Sequence, residues 1–329
     1  MSNTPSISTL VSTAYMGIKL STSAIGFAKQ YKPGKTVVAT HDNASEDSYR
    51  VSRSLIPPGF DTELKALTKA INACRAVFNK HTLTVGRSAD GQKADGDKVI
   101  PSRVIADGSF MAEWNQALSE FRAAHQAFVY AYPGIVRAIE TASYHGQALG
   151  NSFDLTEYPD QQAINDGFAV TLEGPFPIAD ASTLANMPLD RQTREALESQ
   201  LEAHQRRMLA NASQALAKDM AELLSNMATN LNKLRDYHGT PAHARTGKAP
   251  AIYESLVTNV QDAVAKARAF AIPETDAGSK LLSIVDTIVD TLNPAALSAD
   301  YLKSAPYHAG LVADRAAELA QALAGEDWD

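Results

Sequence analysis

Three lysines, Lys29, Lys32 and Lys35, fall within seven residues around Tyr31 in the stretch KQYKPGK. Ammonium groups at that spacing can hold phosphate oxygens. The run continues as PGKTVV, which carries the Gly-Lys-Thr of a phosphate-binding loop. Such a loop needs G-x-x-x-x-G-K-[ST], because the glycine-rich turn lets successive backbone amides wrap the phosphate. Lys29 stands where the first glycine belongs. The stretch therefore reads as a small basic patch and not as a nucleotide site.

A second cationic group lies in KLRDYHGTPAHARTGKAP, residues 233–250, between two long apolar-periodic runs. Arg235, His243, Arg245 and Lys248 are its candidate binding residues. A partner touching them is expected to be acidic. Two histidines are too few ligands for a metal, and none of the eight histidines forms an HExxH pair. Asp90, Asp95 and Asp97 lack the alternate oxygens and the twelfth-position Glu of a calcium loop. Cys74 sits in the apolar-periodic KAINACRAVF and reads as a buried thiol. Glu198 and Glu202, followed by Arg206 and Arg207, read as a salt-bridged helix face. No GxSxG, Cys–His spacing or dinucleotide fingerprint is present. Nothing in the residues argues for catalysis, and no cofactor or metal is expected.

The elements that must position these residues follow from composition and period. The chain has 329 residues and one cysteine, so it cannot form an internal disulfide; that fits a reducing cytosol. It shows no targeting segment and no run of about 18 apolar residues, so no membrane span is expected. Residues 1–110 carry 14 Lys and Arg against 9 Asp and Glu, whereas residues 111–329 carry 16 against 28. An anionic partner is thus directed to the first third of the chain.

Residues 2–13 are Ser/Thr-rich and read as extended; a strand and then a short helix are expected in 14–35. Leu64, Leu67, Ile71, Cys74 and Val77 mark one helix face ending near Asn79. The alternation in 81–105 predicts a small β-hairpin with a long tip. Phe110, Trp114, Leu118, Phe121, Phe128 and Tyr132 predict an aromatic helix that Pro133-Gly134 breaks. A YPD turn, a short helix and a strand at 168–172 follow. From 189 to 238 no Pro or Gly interrupts an apolar period capped by Asp190, a rod of roughly 70 Å that suggests a coiled-coil-like arm. Ile252, Leu256, Val260, Val264 and Phe270 supply an antiparallel partner face. A third face and an alanine-rich last helix close the chain. The expected fold is mainly α: a helix-dominated head with a few short β-strands over 1–185, then a long antiparallel helical hairpin and C-terminal helices over 186–329.

The order LVSTAYMGIKLS, HTLTVGRSADGQKADGDKVIPSRV, the aromatic helix and EYPD…GFAVTLEGPFPI resembles an uncharacterised family of phage and plasmid proteins, a domain of unknown function, over roughly residues 8–235. Members of that family are often encoded beside a cobaltochelatase-like MoxR-type AAA+ ATPase and a von Willebrand factor A-type partner. The tryptophan expected after TL is absent here, and Tyr15-Met16 stands for the family's aromatic. The resemblance implies a non-catalytic interaction or adaptor protein in the cytoplasm, the bacterial host's if phage-encoded. It would work with such an ATPase or by self-association. The alternative is a single-stranded DNA-binding protein that uses the basic first third and the 233–250 turn.

Overall fold

The computed structural model describes residues 6–30, 52–84, 98–178, 183, 186–241, 244 and 248–326. Among these the chain is mainly helical, with ten α-helices and two small antiparallel sheets. It forms two compact units that interleave along the sequence. One comprises Met1–Lys19, Asn79–Ser109 and Gly174–Asp329; the other comprises Leu20–Phe78 and Phe110–Glu173.

The first unit is organised around one helix, α6 (Arg191–Gly239), of 49 residues. Asp190 caps it by accepting from the Thr193 amide (2.9 Å) and the Thr193 hydroxyl (2.6 Å), as the sequence predicts. No residue of 191–204 is buried, whereas from Gln205 to Leu234 a continuous stripe is, with Met227 and Leu231 fully enclosed. Three helices cover that stripe: α7 (Ser255–Phe270), α8 (Asp276–Leu292) and α10 (Pro306–Ala324). The most extensive contact is with α10, not with α7. Ala309, Gly310, Ala313, Ala316 and Ala320 give α10 a small-residue face that lets the two axes approach closely. A Cβ on Gly310 would lie 2.7 Å from the Arg235 Cδ. The short link after α7 reverses the chain, and Arg315 to the Thr291 carbonyl (3.2 Å) with Lys280 to Glu326 (2.8 Å) makes α8 and α10 antiparallel. The second half of α6 with α7, α8 and α10 is thus an up-and-down four-helix bundle.

Helix α1 (Ile7–Ala14) packs on α6. It stands where the Ser/Thr-rich composition predicts extended chain. Ser6 caps it by accepting from the Thr9 amide (3.3 Å), and Val11 is fully buried, so tertiary burial overrides weak propensity. β1 (Tyr15–Ser23) follows at once. With β4 (Leu83–Thr84), β5 (Lys98–Pro101) and β6 (Ala169–Pro177) it makes a sheet of order β4-β5-β1-β6, with Tyr15 opposite Pro101 and Leu83 opposite Val99. The hairpin expected in 81–105 is therefore present; its tip and Asp90, Asp95 and Asp97 lie outside the described residues.

Two side chains fix this sheet side of the unit to the C-terminal end of α7. From the short helix α3 (Ser102–Ala106), Arg103 donates to the Ala269 carbonyl (3.1 Å) and to that of Arg268. The buried Tyr15 hydroxyl donates to the Phe270 carbonyl, and its ring stacks on Phe270 at 6.0 Å. Burial pushes the Tyr15 hydroxyl pKa above its ordinary value, against the opposing charge of Arg103, so it stays a donor. The last carbonyls of α7 have no partner within the helix, and that of Phe270 would otherwise be orphaned in the interior. Tyr15→Phe leaves the Phe270 carbonyl unpaired, and urea denaturation should show a loss of about 1–3 kcal/mol.

The second unit packs α2 (Thr62–His81), the two-stranded β2 (Ala28–Gln30) and β3 (Ser52–Ser54), α4 (Ser109–Tyr144) and α5 (Gln161–Gly167) around Phe128. Phe27, Tyr132 and Phe168 surround that ring at 5.7–6.0 Å. No helix forms within 24–30, where β2 stands instead; 31–35 lie outside the described residues. Pro133 does not break the aromatic helix: α4 runs through it. The carbonyl that Pro133 cannot pair, that of Val129, accepts from Gln161 Nε2 at 3.5 Å, and the Tyr132 hydroxyl holds the Pro159 carbonyl at 2.9 Å.

Candidate functional site

Of the cationic residues singled out in the sequence, Lys32, Lys35, His243 and Arg245 lie outside the described residues. Lys29 is exposed on β2, directly opposite Arg53 of β3. The Arg53 guanidinium is mostly buried and bound to Glu157 Oε2. Nearby, Asp154 is held below the usual carboxylate range, first by the Thr156 hydroxyl and amide and more weakly by Arg53. The Tyr158 hydroxyl donates to the Leu55 carbonyl at 2.6 Å. This is a strap joining β3 to the 154–160 turn. An open groove of about 460 Å³ runs beside it along α2, lined by Ser54, Ile56, Asp61, Lys65, Thr68 and Lys69 among others. Its chemistry is largely cancelled. Lys65 pairs with Asp61 at 2.8 Å, and the Ser54 hydroxyl is spent on the Ile56 carbonyl at 2.7 Å.

Much of the basic first third is engaged in the same way. Arg53, Lys65 and Arg103 are bound as described; Arg75 donates to Thr22 (2.7 Å) and Asn72 (3.3 Å). Lys98 donates to Asn79 Oδ1 (2.5 Å), and Lys266 donates to the Asn79 carbonyl (2.8 Å) at the end of α2. Burial lowers the pKa of both lysines, with Asp219 opposing that for Lys266.

In the first unit, Arg235 binds the Asp314 carboxylate with Nη1 at 3.0 and 3.3 Å, and so ties α6 to α10. Lys248 is exposed in the link between α6 and α7. Lys29 and the pair Arg235 and Lys248 belong to different units. Cys74 is buried, and burial raises its thiol pKa. Among the described residues no group of three His, Cys, Asp or Glu could hold a metal, and no helix is long and apolar enough to cross a membrane.

What the sequence reading missed is a set of large exposed side chains at the end of the bundle where α6 finishes. Tyr253 is 70% exposed, Tyr301 46%, Tyr307 82% and Leu311 42%. Their elements are tied together there. The Ala299 amide at the start of α9 (Ala299–Ser304) donates to Glu254 Oε2 at 2.9 Å. The rings of Tyr301 and His308 meet at 5.3 Å. Asp314, one turn beyond Leu311, holds Arg235. The signal in the sequence is phase: Tyr307 and Leu311 fall outside the Ala309, Ala313, Ala316, Ala320 stripe that faces α6.

No protein-family model, no curated protein and no solved structure matches this chain.

The tyrosines also predict an alkaline transition. Burial pushes Tyr132 and Tyr158 up to about 12 from 10.0. A hydroxyl whose pKa is raised by folding favours the fold below pH 10, and that contribution is lost as the pH climbs toward 12. Lys98 and Lys266 act in the opposite sense: their lowered pKa withholds stability at neutral pH and returns it toward 10.5. Melting temperature should therefore fall as the pH climbs from 10 toward 12, with tyrosinate absorbance of these two hydroxyls rising only as the protein unfolds.

Proposed function

We propose that this chain is a non-catalytic interaction protein, an adaptor or assembly subunit, that meets its partners through the tyrosine-bearing end of the bundle. The observation that carries this reading is the exposure of Tyr301 and Tyr307 on helices otherwise packed into a continuous core, with Tyr253 exposed just before α7. Tyrosine offers a large amphipathic surface at small entropic cost, which is why it is enriched at the anchoring points of interfaces. Helices locked by the Arg235–Asp314 pair and by Glu254 hold the backbone under those rings, so little ordering remains to be done on binding. The engagement of Arg53, Lys65, Arg75, Lys98 and Arg103 within the fold favours this over the single-stranded DNA reading, which needs those cations for phosphates.

The resemblance over residues 8–235 names the partner to try first, a MoxR-type AAA+ ATPase encoded by an adjacent gene. Immobilised protein should retain the purified ATPase, and Tyr307→Ala with Tyr253→Ala should cut retention about tenfold or more, as expected of anchoring tyrosines. Retention that ignores both substitutions would discard this end as the contact surface. Failure to retain the ATPase at all would discard the partner.

A further inference from the structure

Helix α4, in the second unit, has two unlike faces. Phe110, Trp114, Phe121, Phe128, Tyr132 and Ile139 are buried on one. At about 100° per residue, the opposite face centres on Tyr130. It runs through Ala123, Ala127, Gly134, Arg137, Thr141 and Tyr144, all of them exposed. A solvated helix face of this length ordinarily alternates Lys, Arg, Glu and Asp. Within about 60° of its centre line, from Ala112 to Tyr144, this face carries a single charge, Arg137. Tyr130 is 88% exposed and Tyr144 89%. The Thr141 hydroxyl is spent on the Arg137 carbonyl at 2.9 Å, so it asks little of water.

Gly134 adds an independent observation. A glycine inside a helix weakens it relative to alanine, because glycine gives up more backbone freedom on folding. Such a residue is of use where another group must come close to the backbone. A Cβ on Gly134 would meet nothing within 4 Å, so its own chain makes no such approach. The projecting ring of Tyr130 and the hollow at Gly134 lie one turn apart on the same face. A face with a knob and a hollow at that spacing is complementary to itself.

We propose that two copies of this chain pair through α4, antiparallel about a two-fold axis, with Tyr130 of each copy seated on Gly134 of the other. A two-fold contact makes every pairing twice. The same register sets Ala123 against Thr141, Ala127 against Arg137, and the Tyr144 hydroxyl against the Glu120 carboxylate. Arg122 and Glu140 are exposed on one flank of the face. Arg122 of one copy comes within about 3 Å, along the axis, of Glu140 of the other. The two Arg137 side chains stand about 15 Å apart along the axis, beyond the Debye length at physiological salt. Tyrosines carry about 150–250 Å² each, so four of them supply roughly 500–900 Å². The small residues between them bring the contact toward the ~1,200 Å² at which specific interfaces begin. That size suits a reversible dimer. The proposal stands apart from the tyrosine-bearing bundle end, which belongs to the first unit.

Sedimentation velocity on the full chain should show a monomer–dimer equilibrium with a dissociation constant on the order of 10 μM. Tyr130→Glu and Gly134→Leu should each weaken it about tenfold or more. Both positions are open in the monomer, so circular dichroism should not change. Gly134→Leu should melt no lower than the wild type, because it removes a helix-weakening glycine. Arg122→Glu should weaken the dimer, and adding Glu140→Arg to the same chain should restore it. Those two residues are about 27 Å apart in one helix, so only a contact between copies can rescue. A wild type that stays monomeric at about ten times the expected constant overturns the proposal. So does a dimer that survives both Tyr130→Glu and Gly134→Leu, or a charge swap that fails to restore it. A dimer that Tyr307→Ala dissolves and Tyr130→Glu leaves intact moves the contact to the bundle end. Retention of the ATPase should ignore Tyr130→Glu. Retention lost in that variant, from a wild type that does not dimerise, gives the face to the ATPase and overturns the pairing.

Discussion

An apolar stripe about 45 Å long on one face of α6, from Gln205 to Leu234, has to be kept from water. The arrangement of the first unit follows from that constraint. A single partner helix would leave the flanks of the stripe wet. The chain answers with three, and the three differ in kind. α7 and α8 bring branched side chains, Val257, Val260, Val264, Val285 and Ile288, that fill volume. α10 brings alanines and a glycine, and so fills space with its own backbone instead. Close approach of that kind makes the α6–α10 seam sensitive to any added bulk, since packed interiors have no slack to absorb it.

The same unit is assembled from three separated stretches of chain, and polar groups do the fastening. Arg103 and Tyr15 meet the carbonyls that end α7, and Lys266 on α7 meets the carbonyl of Asn79, where this unit's second stretch begins in the last turn of a helix. Each bond satisfies an acceptor at a helix terminus, where the helix itself offers no donor. The sheet strands and α1 are thereby registered against the bundle by directional bonds, while the apolar core supplies the bulk of the attraction. Gly278 belongs to this arrangement: any side chain there would collide with the Ile272 carbonyl in the tight turn before α8.

Local signals were readable in the sequence where they decide structure alone. The Asp190 cap, the unbroken run of α6, the face of α2 around Cys74 and the β4–β5 pair all appear as period and punctuation suggest. The missed features depend on partners distant in sequence. α1 forms in a Ser/Thr-rich stretch because α6 covers it. α4 survives Pro133 because Gln161, 28 residues on, takes up the loose carbonyl. The cations show the limit most clearly. A count of charges gives the first third a positive surplus, but a count cannot tell that Arg53 faces Glu157 or that Arg103 closes a helix. Of the candidate residues, Arg235 proves to be an interhelical tie. The tyrosines escaped notice because single exposed aromatics carry no period; only the bundle gathers Tyr253, Tyr301 and Tyr307 to one end.

The uneven burial of α6 makes one helix behave as two in time. The thirty residues from Gln205 to Leu234 can open only when the bundle opens, so their amides should exchange with solvent through near-global unfolding. The first fourteen are held by the Asp190 cap and by continuity with the turns below, with no buried side chain to release. They can unwind turn by turn while the bundle stays closed. The boundary falls at Gln205, so a trypsin-like protease meets accessible bonds first at Arg191 and Arg194, where the local cost of opening is lowest, and only later at Arg206 and Arg207 beside the buried Met208 and Leu209.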